Sequence, residues 1–405
     1  MKQRCGKLLL KTGREYKLRE AEIKRHLVQD IIPFWKGMKD LDYGGFYGEM
    51  DYNLKLNKNA VKGGILNSRI LWFFANAYAV TSDAECLNNA DHAYEFLKNV
   101  FYDKEHGGIY WSVTYDGLPL DNTKHTYNQA FAVYGLASYY GITQKEEALE
   151  LAYELVRLIE DKCRDTGGYL EAFDREFKPV SNEKLSENGI MADRTMNTLL
   201  HVFEAYTELY RVDGNEIMAD RMRQILDLFA CKVYNQKKRR LEVFFDEEMN
   251  SILDLNSYGH DIEAAWLLDR GCEILGNEVY TAKISTITRK LTARILEIAY
   301  DGTSLYNECC KGELDTKKVW WVQSEAIVGF LNGFQKSGYN KYKYAACNTW
   351  DFVKNNLIDK RAGSEWLSEV DRYGKPYPKE IVGPWKCPYH NGRMCFEVIK
   401  RNEYF

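Results

Sequence analysis

Gly107-Gly108-Ile109-Tyr110 has two close copies elsewhere in the chain, Gly44-Gly45-Phe46-Tyr47 and Gly167-Gly168-Tyr169-Leu170. A glycine pair followed by aromatic or aliphatic residues reads as a tight turn feeding a short strand. Looser versions follow as Arg240-Leu241-Glu242-Val243-Phe244, Gly302-Thr303-Ser304-Leu305-Tyr306 and Gly363-Ser364-Glu365-Trp366. Their starts step by about 60–70 residues, the spacing of a repeat architecture rather than of separate domains. The chain therefore holds six units.

Between turns the sequence carries two helical patterns of different character. In Lys145 to Lys162 the apolar Leu149, Ala152, Leu155 and Ile159 recur at three-to-four spacing among charges, which describes a helix with one wet face. Leu71 to Val80, Ala130 to Ala137, Ala264 to Leu268 and Ala326 to Leu331 are apolar nearly all round, as a helix buried on every side must be. Gly135 and Gly329 lie close by or within this second kind, where a missing side chain lets neighbours approach closely. Only 7 prolines interrupt the chain, which favours helices. Six turns, each with one outer and one inner helix, predict an all-α fold, a single (α/α)6 barrel of six helical hairpins with short β-hairpins at one end. An open solenoid would need atypical polar caps, and none is evident. In this reading residues 17–405 form the barrel domain. Residues 1–16 are a loose basic extension whose apolar run, Leu8-Leu9-Leu10, is too short for a signal peptide.

With 405 residues, 45% hydrophobic, the chain can bury a large core. Net charge is −4 with both signs interspersed, and no basic stripe marks a nucleic-acid partner. No apolar run approaches the roughly 18 residues of a membrane span. The 10 cysteines are scattered singly apart from Cys309-Cys310, and Cys387 and Cys395 lack a matching ligand set. Reduced thiols of a cytoplasmic monomer fit better than a disulfide framework or a zinc site.

Ser257-Tyr258-Gly259 is a turn that delivers His260 to the mouth of an apolar helix, with Glu263 three residues on and sharing its face. Comparable clusters open the other inner helices. They are Asn67-Ser68-Arg69, then His125-Thr126-Tyr127-Asn128-Gln129, then Asp193 to His201, in which Asp193 reads as an N-cap and Asn197 and His201 share a face. The last two are Trp320-Trp321-Val322-Gln323-Ser324-Glu325 and Trp385 to Arg393, which contains Tyr389 and His390. If the inner helices share one polarity, these clusters converge at one end of the barrel. His26, His92 and His106 fall outside them and read as surface residues.

Taken singly, each has a bland reading. Arg69 could be salt-bridged, Trp320 and Trp321 could be core, and His125 could bond the backbone and stays outside the catalytic set. A metal site from His201, His260, Glu263 and His390 is disfavoured because His-x-x-Glu is a weak signal. Together they predict a pocket of aromatic rings with a polar rim, which suits a sugar. Two imidazoles titrating near neutrality suit proton transfer in both directions, and a guanidinium suits a developing oxyanion. The chemistry that fits is proton abstraction beside a carbonyl, followed by return of a proton to the same carbon. Two rivals stay open. One is an inverting glycosidase, with carboxylates about 6.5–9.5 Å apart across the sugar; the other is a sugar-binding protein without catalysis.

Ser257-Tyr-Gly-His-Asp-Ile-Glu263, Trp320-Trp-Val-Gln-Ser-Glu325 and Gly383-Pro-Trp-Lys-Cys-Pro-Tyr-His-Asn-Gly-Arg393 resemble the signatures of the cellobiose 2-epimerases, within the N-acylglucosamine 2-epimerase superfamily of (α/α)6 barrels. The resemblance runs from about Ile23 to Arg401. It implies cofactor-independent inversion at C2 of the reducing-end glucose in β-1,4-linked disaccharides, without a metal. By motif, His260 and His390 match two acid/base histidines and His201 a third histidine tied to ring opening. Arg69 matches the arginine beside O1 and O2, and Glu263 the carboxylate that orients His260. Trp321 and Trp385 match sugar-stacking rings, Asn197 and Glu308 match hydrogen-bonding positions, and Tyr127 joins them on the substrate side. N-acylglucosamine or monosaccharide epimerisation, or aldose–ketose isomerisation, would use the same histidines.

Overall fold

The computed structural model describes residues 19–184 and 189–401, so the expected extension 1–16 lies outside it. Helical backbone runs from residue 19 to 37 (α1), with a π-helical turn at Leu27–Ile31. Five hairpins follow, each an inner and then an outer helix: α2 Gly64–Thr81 with α3 Ala84–Phe96, α4 Thr126–Thr143 with α5 Glu146–Leu158, and α6 Met196–Asp213 with α7 Glu216–Leu228. The fourth and fifth are α8 Tyr258–Leu275 with α9 Glu278–Ile298 and α10 Trp320–Ser337 with α11 Asn340–Asn356, and α12 Tyr389–Lys400 is the last inner helix.

The inner helices are buried all round because their apolar residues cover every face, as the sequence predicts. Each packs on the next, and α12 packs on α2, so the ring closes. Gly135 and Gly329 sit at close approaches between neighbouring inner helices. A Cβ on Gly135 would lie 2.8 Å from the Ser68 carbonyl oxygen, and one on Gly329 would lie 2.4 Å from Ile262.

The outer partner of α12 is α1, from the other end of the chain, which packs on it through Leu27–Ile31. Arg19 pairs with Asp351 at 2.7 Å, and Trp366 donates its indole N–H to His26 at 2.8 Å. His26 is therefore not a surface residue: its other nitrogen bonds Asp30 at 2.7 Å and it is buried between Trp350 and Trp366. His92 is also half-buried, with its Nε2 bonded to the Gly45 carbonyl. The short strands close the same way. Strands 62–63, 124–125, 194–195, 255–257 and 318–319 each precede an inner helix and pair antiparallel with a strand of the next unit, and Met50 bridges Val382 to join last to first.

Two repeated devices hold these strands over the helix mouths. A buried cation sits just before the inner helix and pairs with an acid of the preceding turn: Lys62 with Asp40 at 2.6 Å, Lys124 with Asp103 at 3.2 Å, Lys318 with Asp301 at 2.6 Å, Lys386 with Glu365 at 2.5 Å, and Arg194 with Asp165. In addition, a side chain in the first turn accepts a strand N–H: Asn67 from Phe46, Gln129 from Ile109, Asp261 from Leu241 and Gln323 from Leu305. Part of each polar cluster seen in the sequence is thus architectural. In the third unit the N-cap is Thr195, which accepts from the Thr198 N–H at 3.0 Å, rather than Asp193.

Candidate active site

All inner helices present their N-termini to the same mouth, so residues at equal offsets from a helix start form layers. Tyr127, Asn197, Trp321 and His390 lie in the first turn of their helices, and Arg69, Phe131, His201, Glu263 and Glu325 one turn deeper. They enclose a cavity of about 210 Å³ lined by Arg69, Tyr127, Lys184, Asn197, His201, His260, Glu263, Trp320, Trp321, Trp385 and His390. Of the site residues expected from sequence, all but Glu308 line it. Glu308 stands on the strand opposite Ser257, at the edge of the same mouth.

The three histidines reach the cavity from three helices. His260 and His390 both pack against the Trp321 ring, with centroids 4.8 and 5.4 Å away. His390 bonds Glu325 through Nδ1 at 2.7 Å, and His201 bonds Glu204 through Nδ1 at 2.9 Å. His260 bonds the Ser257 hydroxyl through Nδ1 at 2.7 Å. Each ring bonds through Nδ1, and among the described residues no hydrogen bond is made by any of the three Nε2 atoms. Burial, the first cause in every case, holds all three imidazoles below their ordinary value: His260 falls to about 3, and the charges of Arg393 and Arg69 add to the effect at His390.

Among the described residues Glu263 makes no hydrogen bond to His260. Helical side chains lean toward the N-terminus, so His260 leans back onto Ser257, and Glu263 meets Arg393 below it. Glu263 comes instead within 4.0 Å of His390 Nδ1. Arg393 is the hub of this floor: it also pairs with Glu204 at 2.5 Å and Glu325 at 2.6 Å. Trp266 donates to Glu325 at 2.9 Å, and Tyr389 donates to Glu204 at 2.5 Å. Burial and the charge of Glu325 raise the Glu263 carboxyl well above the ordinary range, and burial raises Glu325 too. Glu263, Glu325 and His390 lie close enough to hold a cation between them, and the guanidinium of Arg393 is already bonded to both carboxylates there.

Arg69 is buried between the rings of Phe131 and Tyr389, 4.1 and 4.7 Å from their centroids, and donates to the Tyr127 hydroxyl at 2.8 Å. Among the described residues no carboxylate pairs with it. The salt-bridged alternative therefore fails, and its charge is available to an anion formed in the cavity.

Sequence reasoning assigned no catalytic or binding role to Glu204, Glu325, Lys184, Phe131 or Arg393, although Glu325 and Arg393 lay inside the quoted clusters, and it gave Ser257 only a place in the turn before His260. One signal was present: Glu325 and Phe131 share the offset of Arg69, His201 and Glu263 from a helix start. Glu204 carries only its place three residues after His201 on the same helix, and Arg393 has no such marker, since the carboxylates it pairs with lie on other units.

The sequence profile of the N-acylglucosamine 2-epimerase (GlcNAc 2-epimerase) family matches residues 45–392. The chain belongs to this family. Within it, a cellobiose 2-epimerase of Ruminococcus albus is 51% identical over 94% of this chain and 98% of its own length. The solved structure of a sugar epimerase from a ruminal bacterium superposes with a TM-score of 0.93 at 51% identity, covering 94% and 98%. That of the cellobiose 2-epimerase of Bacillus thermoamylovorans gives 0.92 at 45% identity, covering 94% and 99%. Among the described residues of this family member, no helix is long and apolar enough to cross a membrane.

Proposed function

We propose that the chain inverts C2 of the reducing-end glucose of β-1,4-linked disaccharides, turning cellobiose into glucosyl-mannose and lactose into epilactose. The reading is carried by one observation: two imidazoles from separate hairpins, His260 and His390, line one cavity beside an arginine with no carboxylate partner.

In this reading the reducing ring opens with help from His201. One of His260 or His390 then removes the C2 proton through Nε2. The enediolate that forms is held by Arg69, in a site where burial makes a fixed charge effective. Rotation about C2–C3 presents the other face, and the second histidine returns a proton. The reaction runs both ways, so each histidine is base in one direction and acid in the other. The surroundings suit this. Glu325 stabilises an imidazolium at His390, and a serine hydroxyl either donates or accepts, so Ser257 serves both tautomers of His260. The cluster beside His390 holds a further proton on Glu263 or Glu325. Only proton transfers are needed, and side chains supply them.

The gathering of Glu204, Glu263 and Glu325 on one guanidinium favours this over an inverting hydrolase, which needs two carboxylates on opposite sides of the sugar. Incubation with cellobiose in heavy water, followed by NMR, is the test. Deuterium at C2 of a mannose-type product supports the reading. Free monosaccharide would favour hydrolysis, a ketose labelled at C1 would favour isomerisation, and absence of exchange would leave a binding protein.

A further inference from the structure

The cavity, about 210 Å³, lies below the roughly 300–1,000 Å³ of pockets that hold drug-sized ligands. It suits one hexose, so the second sugar of a disaccharide must rest at the mouth. There Trp385 is 41% exposed, and its ring meets those of Tyr127 and Trp111 edge-on at 6.0 and 6.1 Å. Lys184 completes this shelf. Its ammonium stands 5.3 Å from the Trp111 ring centroid, bonds Asp121 at 2.5 Å and donates to the Thr123 hydroxyl at 2.6 Å.

An ammonium carries three N–H donors, and among the described residues Asp121 and Thr123 take two. A partly exposed ion pair contributes little stability by itself, yet this one lines the cavity together with the partly exposed Trp385. Lys184 covers one face of Trp111, which leaves Trp385 for the C–H face of a sugar and the free N–H for its hydroxyls. We propose that Lys184 is the specificity residue for the second sugar, and that it makes this site prefer a disaccharide over a monosaccharide.

The proposal rests on the disaccharide reading above, so its test avoids turnover. Tryptophan fluorescence titrations of the full chain compare cellobiitol with glucitol, two unreactive open-chain ligands that differ by the second sugar. Lys184→Met should weaken cellobiitol about tenfold, the scale of a charged hydrogen bond, and change glucitol by less than about twofold. Lys184→Arg should recover most of the loss. Parallel losses for both ligands would make Lys184 a merely structural anchor of its loop, and no loss for either would remove it from recognition; each overturns the proposal. Failure of the epimerase reading shows separately, as wild-type protein that leaves C2 of cellobiose unlabelled.

Discussion

At the scale of single residues the site is a set of deliberate imbalances. Among the described residues Arg69 is a buried cation without a carboxylate, while Arg393, one turn inside α12, carries three. The first suits a charge that appears only during reaction; the second fixes the proton-holding floor. His260→Asn and His390→Asn should each cut formation of the C2-deuterated epimer about 10²–10⁴-fold, the usual worth of a positioned acid or base. Epimer formed at the wild-type rate in either variant would remove that residue from the reaction. The pH profile of kcat/KM should be bell-shaped. Its acid limb should lie below the ordinary histidine value, because burial holds the imidazoles neutral. Its alkaline limb should lie above the ordinary carboxylate range, because the shared proton beside His390 leaves only there. Glu263→Gln cannot release a proton, so its alkaline limb should flatten, with kcat down about tenfold and KM nearly unchanged. A limb that survives the substitution would locate the proton elsewhere.

At the scale of elements, function depends on inner helices that start level with one another. Five of them are 18 residues long, so their first turns form a common rim and their second turns a common floor. Buried cations and first-turn amides hold the strands above them. Spacing between helices matters as much as their level. Gly329 lets α10 lie against Ile262 of α8, one residue before Glu263. Gly329→Ala should destabilise the fold by about 1–3 kcal/mol through overpacking, seen as a lower urea midpoint. It should also raise KM, since α8 and α10 carry His260 and Trp321. A variant of unchanged stability and KM would mean that the two helices can part without cost.

At the scale of the molecule, the ring buries histidines that an open chain would leave in water. His26, His125, His201, His260 and His390 are all buried and all held below their unfolded value of about 6.5. A group of this kind stabilises the fold above its unfolded value, and the contribution is lost as pH falls toward the folded one. Each adds at most about 1.4 kcal/mol per pH unit in that window. Buried carboxyls work in the opposite sense: Glu171 and Asp261, raised to about 7, and Glu263, raised to about 8, add stability as pH falls below those values. The two sets offset, so calorimetry should show a Tm that changes little between about pH 7 and pH 5; a steep fall across that range would contradict this.

Periodicity is local, and so the chain itself determined the six-unit repeat, the two kinds of helix, the closed barrel and the helix starts that carry Arg69, His201, His260, Trp321 and His390. Those readings need only neighbours a few residues away. What joins across the ring was decided by tertiary structure alone. The pairing of α1 with α12, the burial of His26, the turn of Glu263 away from His260 toward Arg393, and the reach of Lys184 to Asp121 all link distant units. Helical spacing says which residues share a face, but not how deep each side chain sits once the helices close around a common axis.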